Sequence, residues 1–317
     1  MAGLNFDEFF PKLALWDPTT HQFNNELDAS LISPYGVAFS PDGKRLVAGD
    51  NCENVTLWDI KTRQVISHLD FGTSGIISSL VFSPDGKMIA IGGDAPDVAV
   101  SLWDGESPEI SGQPLDVSVY GKSSIAFAPD GKTIAVGNTS GAITLWDVKT
   151  RTFVTWTSTS TSVDSVAFTP DGKELATTSR DGKIFLWNVG SRELLGQPFL
   201  QPGSIPDAIA FSPDGKFLVS GNYDDTIYLW DVATRRTIGG LIGNSWPVKQ
   251  VLFSFDGQTL VTVSNDIISW DVNPRSWADK ICDRVGRNFT QDEWIQYFPG
   301  ETYRITCPQW TEDHSIQ

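Results

Sequence analysis

The chain has few of the residues that usually build catalytic or metal centres. Its 317 residues include only three histidines and three cysteines, and no C-x-x-C pair is present to hold zinc. His21 and His68 fall on or beside predicted outer strands and His314 falls near the C-terminus, so no metal cluster or nucleophile–base pair is indicated. The sequence therefore predicts a protein that is not an enzyme.

A shortage of positive charge restricts the possible partners, and the lack of a glycine in two loop-like segments restricts the possible cofactors. The formal net charge is −16, and this lack of surplus lysine and arginine argues against nucleic acid or an anionic membrane as the main partner. The segments GKS at 121–123 and GKT at 131–133 carry only the end of a phosphate-binding loop. Asp116 and Ala126 stand where the first glycine of that loop is required, so we expect no nucleotide or other cofactor.

Targeting segments are also missing from the sequence. The N-terminus lacks the basic start and apolar run of a signal peptide, and no apolar stretch approaches the roughly 20 residues that span a bilayer. These absences predict a cytoplasmic protein. In that compartment Cys282 and Cys307, which could approach each other near the C-terminus, are expected to be buried thiols rather than a disulfide.

A repeated unit fills most of the chain, and its most regular copy is AIAFSPDGKFLVSGNYDDTIYLWD, from Ala208 to Asp231. Its β-branched and aromatic runs predict three short strands, and the clusters of Pro, Asp, Gly and Asn predict the two turns between them. A further strand follows each copy and completes a four-stranded antiparallel sheet. Such a unit buries its faces only by stacking on neighbours, which indicates an all-β repeat protein.

Tryptophan and phenylalanine landmarks give the period of the repeat. A tryptophan followed by Asp or Asn recurs at spacings of 42, 45, 43, 41, 43 and 40 residues, and we expect these side chains to wedge between adjacent sheets. These structural repeat residues are Trp16, Trp58, Trp103, Trp146, Trp187, Trp230 and Trp270. The last six of them are each preceded by a phenylalanine that starts a hairpin, at Phe39, Phe82, Phe127, Phe168, Phe211 and Phe253.

Four-stranded units of this length that end in Trp-Asp resemble the WD-repeat β-propeller family over about residues 13 to 272. Members often carry a histidine that joins a second-strand Ser or Thr, the tryptophan and an aspartate in a polar network. No unit here has that histidine. The Ser/Thr position is apolar in the first three units and is Thr177, Ser220 and Thr262 in the last three, so we expect mainly apolar packing between blades.

The number of blades depends on how the N-terminal segment is used. Six units are complete, whereas the start supplies only a third strand (12–16) and an outer strand (22–27) after an aperiodic lead at residues 1–12. If the outer strand completes the last blade, the ring closes with six blades. The alternatives are seven positions with one half-empty, or a piece of a longer propeller. Exposed sheet edges are costly, so six blades are favoured.

Residues 273–317 are predicted to form a helical extension packed on the propeller. Trp277, Ile281 and Val285 share one helical face, and Thr290 to Glu293 has the pattern of a capping box before a second short helix with Trp294. This tail resembles the C-terminal extension of bacterial WD-repeat proteins, many of which carry a signalling NTPase of the AAA/STAND type. That resemblance implies a role in signalling.

One face of the ring is expected to bind a protein partner. The loops that lead into each first strand and those that join the second strand to the third lie on the same face, and they carry irregular acidic and aromatic residues. The candidate protein-binding residues are Tyr35, Tyr120, Arg180, Tyr223, Asp224, Asp225 and Trp246. No catalytic or metal-binding residues are identified.

Three functions are compatible with these features of the sequence. The first is a non-enzymatic scaffold or sensor module that binds protein partners in bacterial signalling. The second is a structural module that assembles through the tail at 273–317. The third is an enzyme with its site in the central channel, which would need clustered histidines or metal-binding carboxylates that the repeats at 13–272 do not show.

Overall fold

The computed structural model places the described strands in seven antiparallel sheets, and six of these sheets are the six repeats. The prediction of an all-β, six-bladed propeller of four-stranded antiparallel blades is confirmed, with four described strands in four blades and three in blades two and six. The seventh sheet is formed by the N-terminal strands. The structure describes residues 2–5, 12–16, 23–27, 34–51, 54–70, 76–93, 100–106, 124–157, 161–200, 203–264, 267–273, 276, 282–284, 287–288, 290–297, 302, 305 and 307.

The N-terminal sheet and the first three blades follow one another in chain order. The N-terminal sheet contains β1 (Ala2–Asn5), β2 (Lys12–Trp16) and β3 (Phe23–Leu27). Blade one contains β4 (Pro34–Phe39), β5 (Arg45–Asp50), β6 (Asn54–Asp59) and β7 (Val65–Asp70). Blade two contains β8 (Ile77–Phe82), β9 (Ile89–Gly93) and β10 (Ser101–Trp103). Blade three contains β11 (Ser124–Phe127), β12 (Thr133–Gly137), β13 (Ala142–Asp147) and β14 (Phe153–Thr157).

The last three blades and one helix complete the described elements. Blade four contains β15 (Val166–Phe168), β16 (Glu174–Ser179), β17 (Lys183–Asn188) and β18 (Phe199–Leu200). Blade five contains β19 (Pro206–Phe211), β20 (Phe217–Asn222), β21 (Thr226–Asp231) and β22 (Thr237–Ile242). Blade six contains β23 (Gln250–Phe253), β24 (Thr259–Val263) and β25 (Ile267–Asp271). In the tail, helix α1 covers Gln291–Tyr297, and residues 282–284 are also helical.

The P-D-G hairpins of blades one, two, four and five are each held by one hydroxyl group at the base, whereas blade three has Ala128 at that position. In blade five, the Ser212 hydroxyl donates to the Asp214 carboxylate at 2.7 Å and accepts from the Phe217 amide at 3.0 Å. Gly215 has a φ of +71°, which a residue with a side chain adopts only with strain. This hydrogen bond from Ser212 is the main cause that lowers the pKa of Asp214 below its usual value. The carboxylate therefore serves the turn.

The apolar core lies between consecutive blades. The indole of Trp230 is 2% exposed and packs in one cluster with Ile184, Leu186 and Phe199 of blade four. At the next junction, a side chain on Gly221 would meet Val248 of blade six at 2.4 Å, so glycine is needed for the close approach of the two blades. Trp230 therefore packs between blades four and five, as expected of a wedge.

The second-strand hydroxyl groups of the last three blades accept hydrogen bonds from the tryptophans, in addition to the expected apolar packing. The indole Nε1 atoms of Trp187, Trp230 and Trp270 donate to the side-chain oxygens of their own blades at 3.0, 3.1 and 2.9 Å. These acceptors are Thr177, Ser220 and Thr262. Blade six extends the bond further, because the Thr262 hydroxyl donates to the Asn244 side-chain oxygen at 3.2 Å. The last three blades thus keep part of the polar network without any histidine.

We expect an acceptor at position 136 to stabilise blade three. Trp146 is buried, and its Nε1 has no hydrogen-bond partner among the described residues because Val136 stands at the hydroxyl position. Val136→Thr should raise the free energy of unfolding by about 1 kcal/mol, whereas Thr177→Val should lower it by about 1–3 kcal/mol. Urea denaturation of both variants provides the measurement. A shift of both variants in the same direction would contradict this account of the tryptophan bonds.

The N-terminal segment differs from the predicted arrangement. The sequence predicts an aperiodic lead at 1–12, but Ala2–Asn5 forms a strand that pairs antiparallel with β2. It also predicts that the outer strand at 22–27 completes the last blade, but Phe23–Leu27 pairs with Lys12–Trp16 instead. Leu13 and Leu27 of this sheet are buried against Leu46 and Trp58 of blade one. The gain from this apolar burial accounts for the difference, because it covers the face of blade one that has no preceding repeat.

The tail contains the predicted capping box. The Thr290 hydroxyl accepts from the Glu293 amide at 3.2 Å, and the Glu293 carboxylate accepts from the Thr290 amide at 2.9 Å. The Arg287 guanidinium donates twice to Glu293 and, together with the Thr290 amide, lowers the pKa of Glu293 to about 2. Trp294 is buried, as expected for the apolar side of this short helix.

The expectation of free thiols in the tail is wrong. Cys282 and Cys307 form a disulfide with their Cα atoms 5.4 Å apart, and both side chains are buried. The Cys307 amide also donates to the side-chain oxygen of Asn288 at 2.8 Å, which holds the second cysteine near the first. The expectation of thiols was based on the reducing conditions of the cytoplasm. The folded tail instead brings the two sulfur atoms within bonding distance. A cytoplasmic location stays a prediction.

Candidate functional site

Two of the predicted binding residues lie at the ends of second strands, on what we call the upper face. The upper face comprises the loops that join second to third strands and the loops that lead into first strands. Arg180 follows β16 of blade four, and Tyr223 follows β20 of blade five. Because paired strands run antiparallel, the end of each second strand lies beside the start of the first strand of its own sheet. Arg180 therefore meets a side chain at the start of β15 in its own blade. Tyr223 lies beside the start of β19 in its own blade and also meets a side chain at the start of β23 in the next blade.

Arg180 is fixed by a buried carboxylate of its own blade. Its Nε donates to Asp164 Oδ2 at 2.9 Å and its Nη2 donates to Asp164 Oδ1 at 3.3 Å. The Asp164 side chain is only 2% exposed and also accepts from the Ser162 hydroxyl at 2.8 Å, whereas the Arg180 side chain is 52% exposed. The hydrogen bonds to Asp164, followed by the charge of that carboxylate, raise the pKa of Arg180 above its usual value. Arg180 is a permanent cation in a fixed position.

Lys249 repeats this arrangement at the next junction between blades. Its Nζ donates to Asp207 Oδ2 at 2.8 Å, and the Asp207 side chain is 2% exposed while Lys249 is 54% exposed. The same ammonium group lies 4.5 Å from the centroid of the Tyr223 ring, in a cation–π contact. Lys249 thus contacts both Asp207 and Tyr223. We group Arg180 with Tyr223 and Lys249 because all three lie on the upper face of neighbouring blades.

Backbone hydrogen bonds between blades place these side chains together. The Val248 amide, next to Lys249, donates to the Asn222 carbonyl, next to Tyr223, at 3.0 Å. The Tyr223 amide in turn donates to the carbonyl of Ile205, two residues before Asp207, at 3.0 Å. The loop leading into each first strand is thus joined to the end of a second strand. The position of the group follows from strand pairing rather than from a flexible loop.

Asp224 and Asp225 build the turn after Tyr223. The Thr226 hydroxyl donates to the Asp224 carboxylate at 2.5 Å and the Thr226 amide donates to it at 3.3 Å. Burial raises the pKa of Asp224, but hydrogen bonding, including the two bonds from Thr226, outweighs it, so the pKa is lowered. Asp225 has a φ of +66°, in the left-handed region where Gly182 stands in blade four. Aspartate tolerates this conformation better than most residues, which accounts for the Asp-Asp pair.

The remaining predicted residues have different positions. Trp246 precedes β23 and is 57% exposed, so its indole is available on the upper face. Tyr35 was predicted in a loop but lies inside strand β4. Tyr120 lies outside the described residues. The structure thus places Arg180 and Tyr223 at equivalent strand ends of neighbouring blades, and the role of all seven residues in binding stays a prediction.

Sequence reasoning missed the three partners of this group: Asp164, Asp207 and Lys249. All three stand four residues before the phenylalanine landmark of their repeat. The same column holds Tyr35, Ser78 and Ser123 in the first three blades, so it changes from neutral to charged halfway around the ring. Aligning the repeats by that column would have found them.

The chemistry of the group is that of binding. It offers a guanidinium, an ammonium and an aromatic ring above two carboxylates that are paired with these cations. The part of the chain that the structure describes holds no set of three His, Cys, Asp or Glu arranged for a metal ion. In the same described part, no helix is long and apolar enough to cross a membrane. Arginine and tyrosine are among the residues that most often dominate the energy of protein interfaces.

Comparison with known families agrees with this fold. A family model described as the IFT122 first beta-propeller matches residues 11–267, a span that includes the first five repeats and the first two strands of the sixth. WD-repeat propeller families are generally non-enzymatic scaffolds, and such domains typically bind protein partners. The match covers more than half of the 317 residues. The chain therefore belongs to the IFT122 first beta-propeller family of WD-repeat β-propellers.

Proposed function

We propose that the chain is a non-enzymatic scaffold or sensor module that binds a protein partner through the upper face of blades four to six. The observation that carries the proposal is the anchoring of Arg180 and Lys249 on buried Asp164 and Asp207, with the Tyr223 ring against Lys249. Anchored side chains lose little conformational entropy when a partner binds. That property favours affinity, because ordering long side chains is one of the costs of association.

The exposed aromatic residues support the same surface. Tyr223 and Trp246 are both more than two-fifths exposed, although large aromatic side chains are usually mostly buried. Both rings belong to loops on the upper face, Tyr223 in blade five and Trp246 in the loop that leads to Lys249 and blade six. An exposed aromatic ring beside a fixed cation is a typical centre of a protein interface. The proposal extends to bacterial signalling through the resemblance of the tail to bacterial WD-repeat proteins.

Quantitative affinity capture from the native host provides the test. We expect Tyr223→Ala to reduce the amount of the main captured protein at least about tenfold, since loss of an interface hot spot costs about 2 kcal/mol or more. Phe255→Ala is the matched control, because Phe255 is fully exposed on the hairpin between β23 and β24, at the opposite face. Capture that is equal for wild type and Tyr223→Ala, or that falls equally in both variants, would contradict the proposed face.

A further inference from the structure

We infer that the partner segment recognised by this face is an acidic peptide, whose carboxylates bind Arg180 and Lys249. The inference rests on the proposed function, because it names the chemistry of the partner for the same surface. Its basis is a difference in exposure within each ion pair. At Asp164–Arg180 and Asp207–Lys249 the acids are 2% exposed while the cations are about half exposed. A partner therefore meets the positive member of each pair.

Four lysines in the described part of the protein, Lys44, Lys87, Lys173 and Lys216, lack this asymmetry. Each follows a P-D-G turn and pairs with the aspartate of its own turn, and in these pairs the carboxylate is itself about half exposed. Examples are Lys173 with Asp171 at 3.2 Å and Lys216 with Asp214 at 3.3 Å. A ligand at such a turn meets both charges together. The upper-face pairs differ because their acids lie beneath the cations.

Unused hydrogen-bond donors remain on the two cations. Arg180 binds Asp164 through Nε and Nη2, and its Nη1 amino group has no partner among the described residues. A guanidinium has five N–H donors in a planar fork that matches a carboxylate. Lys249 has three donors, and only one is needed for its bond to Asp207. The surface thus offers donors to a ligand that brings acceptors.

The nearby Asp224 and Asp225 are not hydrogen-bond partners of Arg180 or Lys249. Asp224 is engaged by the amide and the hydroxyl of Thr226, and Asp225 occupies the left-handed position of the same turn. A peptide carboxylate would therefore avoid this turn and bind on the side of Arg180 and Lys249. The protein as a whole carries a net charge of −16, which disfavours an acidic segment over most of the remaining surface. The two anchored cations are then the preferred place for it.

The rings of Tyr223 and Trp246 favour a peptide over a nucleic acid. They are exposed on loops of the same face and offer apolar area to the side chains between successive carboxylates. A nucleic acid would require a continuous track of cations for its phosphates, whereas this face supplies two anchored cations in a strongly acidic protein. The expected occupant is therefore an acidic peptide segment that carries apolar residues.

Fluorescence anisotropy with the full chain tests the inference directly. The probes are labelled peptides of equal length in which leucine alternates with glutamate, glutamine or lysine. We expect the glutamate peptide to bind, and the double variants Asp164→Asn/Arg180→Gln and Asp207→Asn/Lys249→Gln each to weaken it at least about tenfold. Each double variant removes an ion pair as a unit, so that no buried charge is left alone. Lys216→Gln, at a turn on the opposite face, should leave binding unchanged.

The outcomes of this experiment separate the inference from the proposed function. Binding of the lysine peptide that is lost in the double variants would overturn the acidic partner and leave the upper face as a binding surface. Equal binding of the glutamate and glutamine peptides would also overturn it. Displacement of the glutamate peptide by a single-stranded oligonucleotide at similar concentration would overturn the peptide occupant. The proposed function itself fails if affinity capture of the partner is unchanged by Tyr223→Ala, a test that uses no charged probe.

Discussion

Trp230→Ala is expected to lower the free energy of unfolding by about 3–5 kcal/mol, the range for losing a large aromatic side chain from a core. The indole is 2% exposed and contacts Phe199 of the preceding blade edge-on, with ring centroids 5.7 Å apart. Its Nε1 donates to the buried Ser220 hydroxyl at 3.1 Å. The substitution therefore opens a cavity between two blades and leaves Ser220 without this donor.

One further variant separates the loss of the hydrogen bond from the loss of apolar volume, and another serves as a control at an exposed tryptophan. Trp230→Phe keeps much of the apolar volume but removes the donor, so we expect a smaller loss of about 1–3 kcal/mol. Trp246→Ala removes an indole that is 57% exposed and should change stability by about 0.5 kcal/mol or less. Urea denaturation followed by circular dichroism measures all three variants. Equal losses for Trp230→Ala and Trp246→Ala would show that the repeated tryptophan is not an interblade wedge.

The fold was predictable because its determinants are local and repeated. Ser212, Asp214 and Gly215 form a hairpin through contacts within a few residues, and the same motif recurs along the chain. The spacing of the tryptophans then identifies the units that must stack. The use of the N-terminal strands was harder to predict. It depends on whether Phe23–Leu27 pairs with its neighbour β2 or with a strand from the distant end of the chain, and no local pattern distinguishes these two choices.

The candidate site was predictable only in part for a related reason. Arg180 and Tyr223 stood out because they break the repeat pattern in loops. Asp207 and Lys249 lie about 40 residues apart, and their ion pair depends on which side chains two adjacent blades bring together. An isolated aspartate at the start of a strand usually indicates an exposed position. Its burial beneath a cation of another blade becomes visible only when the blades are placed side by side.

The Cys282–Cys307 disulfide is expected to control the stability of the tail rather than that of the propeller. It closes a segment of 25 residues, which corresponds to a stabilisation of about 3 kcal/mol from the reduced freedom of the unfolded chain. The closed segment contains Arg287, the capping box and the buried Trp294. The free energy for local opening of this segment should therefore fall when the bond is removed.

Hydrogen exchange of wild type and of the Cys282→Ser/Cys307→Ser variant measures this local free energy. We expect amide protection in helix α1 to fall about a hundredfold, because about 3 kcal/mol corresponds to roughly two powers of ten. Peptides from β20 and β21 provide the internal control and should keep their protection, since their hydrogen bonds lie within blade five. Wild type treated with a thiol reductant should behave as the double variant does.

Alkylation of native protein purified without reductant provides the decisive control for the disulfide itself. If Cys282 and Cys307 are joined, neither is labelled after denaturation until a reductant is added. Labelling of both in the absence of reductant would show that the two buried side chains remain thiols. Unchanged protection of α1 in the double variant would instead show that the capping box, the Arg287–Glu293 ion pair and the burial of Trp294 hold the tail without the covalent bond. A fall in protection confined to the tail is the result that the buried disulfide and its position predict.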